Sequence, residues 1–353
     1  MKILIIGSRN FPPGVGGIER YVFEFSRAAA SLGHEITLLV QSGDGEPKYE
    51  KKGGVEIIRC DVPSGKPMDR IFMILHTFLK SSGGYDIYWG HGTPGMVLFQ
   101  RKPYVFTIHG FGYLREEDRH PVVNNFMRWW YSWMLKKTDA NIAVDRQSYD
   151  IAKEINPDTH LIHNGINLRR FTRECADPYS HQRNNVLFVG RLIESKGILD
   201  LMEGFSSRED AVLHIIGSGP LKDRVEEVAA SDPNIIYHGE VDEVECYFKH
   251  ADVYVLPSYF EGFPTTVLEA MASGTPTAVS DISAFKGTFR DRRETLFFQP
   301  GDVTGMMKCV DELLHDKKLA KDISGRAFAR VKKEYSWEAQ TKKILKVFEE
   351  VIR

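Results

Sequence analysis

The sequence predicts an α/β chain made of two doubly wound domains. Three observations carry that prediction. Short, continuous apolar runs alternate with helical patterns from end to end, the alternation lapses once over 171–184 before restarting, and 353 residues are enough for two cores of ordinary size. Strands that are apolar throughout and separated by helices belong to parallel sheets covered on both faces. Two such sheets in one chain are expected to face a central cleft, with the ligand crevice outside the carboxyl ends of the strands.

In the first domain the strands are KILIIG (2–7), ITLLVQ (36–41), VEIIRC (55–60), DIYWG (86–90), YVFTIH (104–109), ANIAV (140–144) and HLIHN (160–164). Helical patterns cover 18–32, 66–80 and 121–137. The segment FTRECADPYSHQRN (171–184) is polar and has no apolar period, so it reads as a linker. The second domain has strands NVLFVG (185–190), VLHIIG (212–217), IIYHG (235–239), VYVLPS (253–258) and PTAVS (276–280). A last helix, Trp337 to Ile352, carries Ile344, Leu345, Phe348, Val351 and Ile352 on one buried face. The expected domains are 1–175 and 176–336, followed by the closing helix.

Apolar residues make up 42% of the chain and charged ones 27%, which excludes a disordered chain. A net charge of −2 argues against a nucleic-acid binder, which would be basic. The balance is uneven: residues 1–170 carry +4 and the remainder −6. Either the first half meets an anionic partner such as a membrane surface, or the scatter is one of solvated side chains. The cysteines, Cys60, Cys175, Cys246 and Cys309, have no zinc or redox spacing, which suits free thiols in a reducing compartment. The amino end is too short for a signal-peptide core, and no run of 18 apolar residues occurs. A cytoplasmic protein, peripheral at most on the inner face of the membrane, is expected.

The chemistry lies in the loops that follow strands. The first is GSRNFPPGVGGIER (7–20), whose glycines can offer backbone N–H groups to a phosphate or a sugar oxygen, or serve a plain tight turn. It lacks the G-x-G-x-x-G of a dinucleotide site, and the second strand ends in Gln41 and Ser42 rather than an acid, so a nicotinamide cofactor is disfavoured. VGRLIESKG (189–197) sets Arg191 and Lys196 between a strand and a helix, where two cations can match a diphosphate. IIGSGP (215–220) ends a strand in Gly217 and Gly219, where a base or ribose could approach backbone. In YFEGFPTTVLEAMASGTP (259–276) a helix beginning near Pro264 presents the Thr265 and Thr266 amides to an anion. Glu261 and Glu269 flank that helix start, and four to five helical residues span roughly 6–8 Å. Two carboxylates so placed can hold the vicinal diols of a sugar and of a ribose.

Taken together, Glu261-x7-Glu269, the VGRL…KG segment, the GSGP turn and the GGIER loop resemble the family 4 retaining glycosyltransferases. The resemblance covers nearly the whole chain and keeps the family's motif order. It implies a GT-B fold of two Rossmann-like domains, with the closing helix 337–353 crossing back onto the first. It implies a nucleoside-diphosphate sugar donor as co-substrate and retention of anomeric configuration; the sequence holds no D-x-D motif, so neither a metal bridging the diphosphate nor another cofactor is expected. Gly16 and Gly17 would lie near the distal phosphate and sugar, and Arg191 and Lys196 would hold the diphosphate. Glu261 would contact sugar hydroxyls, and Glu269 the ribose. Amides of Phe263, Thr265 and Thr266 would complete the cradle. His109, in TIHG, matches the family's cleft histidine, which is expected near the donor sugar. Two departures stand out: Asn167 replaces a usual aspartate, and Pro264 a frequent glycine, with one amide lost from the cradle. The expected acceptor is a glycan or lipid-linked glycan, and nucleic acid is not expected as a partner. Two other readings share the nucleotide site: a nucleotide-sugar epimerase or hydrolase, and a non-catalytic nucleotide-sugar-binding protein.

One stretch remains. In PVVNNFMRWWYSWMLKK (121–137), Phe126, Trp129, Trp130 and Trp133 share one helical face, beside Arg128, Lys136 and Lys137. Either that face packs onto the sheet, or it docks on an anionic membrane.

Overall fold

The computed structural model describes residues 1–7, 17–41, 47–60, 84–91, 103–110, 121–179, 183–206, 208–263, 265–286 and 288–353. The described residues form two units, Met1–Gly165 with Trp337–Arg353, and Ile166–Ser336. The expected helix over 66–80 and the expected site residue Gly16 lie outside the described residues, as does Pro264.

The first unit is built on strands β1 (Lys2–Ile6), β2 (Glu35–Gln41), β3 (Tyr49–Lys52), β4 (Val55–Cys60), β5 (Ile87–His91), β6 (Tyr104–Ile108), β7 (Ala140–Ala143) and β8 (Thr159–Leu161). They form one sheet in the order β3-β4-β2-β1-β5-β6-β7-β8. Every pair is parallel except β3–β4. β3 has no expected counterpart, because Tyr-Glu-Lys-Lys at a sheet edge has no fully buried residue and leaves no apolar signal. Among the described residues before Gly165 the unit carries helices α1 (Gly17–Ser31), α2 (Pro121–Leu135) and α3 (Arg146–Ile155).

Side chains alternate along β1. Ile3 and Ile5 join a cluster with Tyr21, Val22 and Phe25 of α1, whereas Leu4 and Ile6 join one with Tyr131 and Leu135 of α2 and Ala152 of α3. The sheet is therefore covered on both faces. α3 starts at Asp145, whose carboxylate accepts from the Ser148 N–H at 2.8 Å, a cap that contributes about 1 kcal/mol.

The second unit begins with α4 (Leu168–Thr172), followed by β9 (Asn184–Val189), α5 (Ile198–Phe205), β10 (Ala211–Ile216), α6 (Lys222–Ser231), β11 (Ile235–Gly239), α7 (Val244–His250) and β12 (Val253–Leu256). It continues with α8 (Thr265–Ala272), β13 (Thr277–Ser280), α9 (Ser283–Lys286), β14 (Leu296–Phe298), α10 (Val303–His315) and α11 (Lys317–Arg330). Its all-parallel sheet runs β11-β10-β9-β12-β13-β14 around one core.

The stretch read as a linker is a correction. The chain changes unit at Gly165/Ile166, ahead of 175/176, and 171–179 is tied to the second core. Phe171 and Tyr179 are buried, and the Tyr179 hydroxyl donates to the Tyr247 carbonyl at 2.8 Å. Arg170 and Arg173 both pair with the buried Glu245. Two isolated aromatic anchors produce no periodicity, so a pattern search passes over them. Asn167, noted as a departure, caps α4: its side chain accepts from the Arg170 N–H at 3.2 Å. Asn serves that position as well as Asp.

The closing helix α12 (Trp337–Ile352) belongs to the first unit. Phe348 lies 5.2 Å from Trp89 and 6.1 Å from Phe25, ring centre to ring centre, in edge-on contacts. Gly165 accommodates Trp337: an added Cβ would sit 2.8 Å from the Trp337 Cα.

Candidate active site

In the second unit the chain starts at β9, builds outward through β10 and β11, then returns to place β12 on the other side of β9. The strand order reverses between β9 and β12, and a crevice opens outside the carboxyl ends of strands at such a point. The loops after β9 and β12 carry Lys196 and Glu261.

These loops are pinned together. The Tyr259 N–H donates to the Ser195 carbonyl at 2.9 Å. Gly197 has φ +66°, and an added Cβ would lie 2.1 Å from the Pro257 carbonyl oxygen, so only glycine lets the loops approach this closely. Lys196 Nζ then meets a Glu261 carboxylate oxygen in a charged hydrogen bond. The buried Ser258 hydroxyl donates to the same carboxylate at 2.7 Å. The Glu261 side chain is only 8% exposed and that of Lys196 20%, so the pair neutralises two charges largely withdrawn from water. Arg191 stands exposed at the head of the loop.

The loop after β10 locks on from the other side. Leu192 N–H donates to the Ser218 carbonyl at 3.0 Å. Gly217, at φ +134°, would drive a Cβ to 1.9 Å from the Gly190 carbonyl oxygen, and Gly219 to 2.5 Å from that of Leu192. Both glycines are thus required by the neighbouring loop, a reason independent of any ligand.

Behind this floor stands Tyr254 of β12. Its hydroxyl donates to the Thr266 hydroxyl at 2.8 Å and lies 3.2 Å from the Val189 carbonyl. Burial holds the phenol well above its ordinary pKa, and the Glu261 and Glu269 carboxylates push it further the same way. At the start of α8 the Thr265 N–H already donates to the Phe263 carbonyl at 2.9 Å, which removes one of the expected free amides. Phe263 packs against the core, its ring 6.3 Å from that of Tyr335.

In the first unit the order reverses between β1 and β5. His109 follows β6, and the last residue of β5 is His91, which the sequence reading did not single out. His91 Nδ1 is 2.9 Å from His109 Nε2. Burial lowers the pKa of His109 to about 4 and that of His91 well below the usual value. Tyr21 packs edge-on against His109, with ring centres 4.9 Å apart. A second histidine closing the preceding strand was the available signal. Gly17 opens α1, with no atom of the described residues within 4 Å of an added Cβ.

Two parallel-sheet units in tandem, the second with charged residues gathered at its switch point, define a GT-B glycosyltransferase. Residues 177–330 match the family described as glycosyl transferases group 1, and residues 15–170 match glycosyltransferase family 4. Glycogen synthase of Mycobacterium tuberculosis is 24% identical over 96% of this chain and 92% of its own. A putative teichuronic acid biosynthesis glycosyltransferase of Bacillus subtilis is 23% identical over 83% and 79%. Among solved structures, sucrose-phosphate synthase from Thermosynechococcus elongatus superposes with a TM-score of 0.76 at 20% identity, covering 99% of this chain and 98% of that one. Anabaena HepE, solved with UDP and glucose, gives 0.69 at 14% identity over 99% and 100%. The chain belongs to the family 4 glycosyltransferases of the GT-B type.

Proposed function

We propose that this protein is a retaining hexosyltransferase that moves a sugar from a nucleoside diphosphate to a glycan or lipid-linked glycan in cell-surface polysaccharide or glycolipid synthesis. The observation that carries the reading is the Lys196–Glu261 contact at the switch point of the second unit. It puts a cation suited to a diphosphate beside a carboxylate suited to sugar hydroxyls. HepE, solved with UDP-glucose, and the teichuronic acid and capsular polysaccharide relatives support the donor and acceptor classes.

Lys196 exchanges its Glu261 partner for the diphosphate, and Arg191 adds a second cation. Glu261, released by Lys196 and still held by Ser258 at the same oxygen, Oε1, takes sugar hydroxyls, while Glu269 takes the ribose. Lys196 and Arg191 then stabilise the charge that builds on the leaving diphosphate, without a metal ion. Acceptor and donor react on one face of the sugar, so orientation replaces an enzymatic nucleophile.

The acceptor side includes a membrane contact through α2. Tyr131, Met134 and Leu135 are buried, whereas Trp129 is 59% exposed and Trp130 and Trp133 are half-buried. The Lys137 ammonium lies 5.7 Å from the Trp133 ring centre. Tryptophans and cations on the outward side suit an anionic lipid interface.

A thermal-shift panel of nucleoside-diphosphate sugars followed by product analysis tests the reading. A donor that stabilises the protein and yields a glycoside with retained configuration supports it. Epimerised or hydrolysed donor as the sole product assigns the protein to the other enzyme class, and binding without turnover to a sensor.

A further inference from the structure

The two histidines of the first unit face each other across neighbouring strands, with ring centres 5.3 Å apart and planes inclined by 34°. Packing holds both. The Trp89 ring centre is 4.4 Å from that of His91, and Tyr21 lies 5.6 Å from His91 and 4.9 Å from His109. Neither ring is free to turn away from the 2.9 Å contact.

Burial keeps both imidazoles neutral at pH 7, so a single proton lies between the two facing nitrogens. That allows two arrangements. If His109 donates from Nε2, His91 must carry its own proton on Nε2. Among the described residues the buried His91 Nε2 has no hydrogen-bond partner, so this leaves a buried N–H unpaired there. If His91 donates from Nδ1, its Nε2 is a bare lone pair. Orphaned buried N–H groups are rarer than under-satisfied acceptors, and the desolvation cost of an unmade donor bond is the one avoided here.

We propose that His91 is a positioning residue: it donates from Nδ1 to His109 Nε2 and thereby fixes His109 as the Nδ1–H tautomer. With Nε2 occupied and Nδ1 protonated, His109 acts as a neutral hydrogen-bond donor to a sugar hydroxyl oxygen and not as a base. That consequence rests on the reading of His109 as a residue that meets the donor sugar; the tautomer itself does not. The tautomer at a histidine's outer nitrogen is set by the bond its other nitrogen makes.

Long-range proton–nitrogen NMR of the 15N-labelled full chain, without donor, reads the tautomer directly. The expected result is Nδ1–H at His109 in the native protein. His91→Phe removes the donor and should move His109 toward Nε2–H, while His91→Asn, which keeps an amide donor near the Nδ1 position, should restore Nδ1–H. In turnover, His91→Phe should lower kcat roughly 10- to 100-fold, the scale of losing a partner that orients a functional histidine. Nucleoside diphosphate affinity should stay unchanged, and His91→Asn should recover most of the rate. Nε2–H at His109 in the native protein overturns the proposal whether or not either variant folds. So does an unaltered His109 tautomer in a folded His91→Phe. A tautomer that shifts while kcat does not would leave the positioning role standing and overturn instead the placement of His109 at the sugar.

Discussion

At Lys196 one side chain neutralises Glu261 and, in the proposed function, holds the diphosphate; substitution separates the two tasks. Lys196→Ala leaves a carboxylate only 8% exposed without its cation, which should destabilise the fold by about 1–3 kcal/mol. Lys196→Ala/Glu261→Gln should recover most of that loss in urea unfolding, since the uncompensated charge is gone. Nucleotide binding should not recover with it. Arg191→Ala and Lys196→Ala should each weaken nucleoside diphosphate affinity roughly 10- to 150-fold by calorimetry, from about 1.5–3 kcal/mol per charged hydrogen bond. Glu261→Gln should harm turnover more than binding of the free diphosphate, and Glu269→Gln both; equal losses in the two would dismiss the division of labour between sugar and ribose. His109 supplies a pH signature. Its pKa is about 4 in the folded protein against about 6.5 unfolded. The unfolded chain then binds the extra proton first, so stability is full above pH 6.5 and is lost as pH falls toward 4. Unfolding midpoints measured from pH 7 to 4.5 should fall less steeply in His109→Asn than in the native protein.

At the scale of elements, α2 and α12 answer different questions. Helical periodicity in α2 marks an aromatic face, yet periodicity alone assigns that face to core or surface indifferently. The structure turns Tyr131, Met134 and Leu135 inward and leaves Trp129 outward, because the sheet needs only one face of the helix. Sedimentation with anionic vesicles should therefore carry the native protein down, neutral vesicles should do so less, and Lys136→Glu/Lys137→Glu should lose the anionic preference. No binding to either vesicle type would remove the membrane contact and leave a soluble acceptor. For α12 helical spacing predicts both limits and the burial of Ile344, Leu345 and Phe348, but the expected face ends early: Val351 is half-buried and Ile352, in the last turn, is 44% exposed. Phe348 is fully buried between Trp89 and Phe25. Phe348→Ala should cost about 3–5 kcal/mol in unfolding free energy and lower the melting temperature of the first unit.

At the scale of the whole molecule, the two units carry different groups: the Lys196–Glu261 pair lies at the switch point of the second, and the neutral histidine pair lies in the first. Among the described residues no His, Cys, Asp or Glu cluster could hold a metal ion, and the proposed diphosphate cradle is made of Arg191 and Lys196. Turnover should survive EDTA. Loss of activity that Mg²⁺ or Mn²⁺ restores would instead mean a metal-bridged diphosphate. Among the same residues no helix is long and apolar enough to cross a membrane.

Strand periodicity, the restart of the strand-helix alternation and the loop motifs were legible without coordinates, because each is a short-range pattern: apolar runs of five or six residues, or a glycine and a charge placed just after one. On that basis the sequence by itself determined two doubly wound units and the residues at the ends of their strands. It could not show that 171–179 is anchored by Phe171 and Tyr179, because single aromatic contacts across 68 residues, such as Tyr179 to the Tyr247 carbonyl, have no period. Nor could it pair Lys196 with Glu261, 65 residues on, or His91 with His109. Those contacts exist because strand order, not chain order, decides which loops are neighbours: β12 returns to lie beside β9, and β6 beside β5.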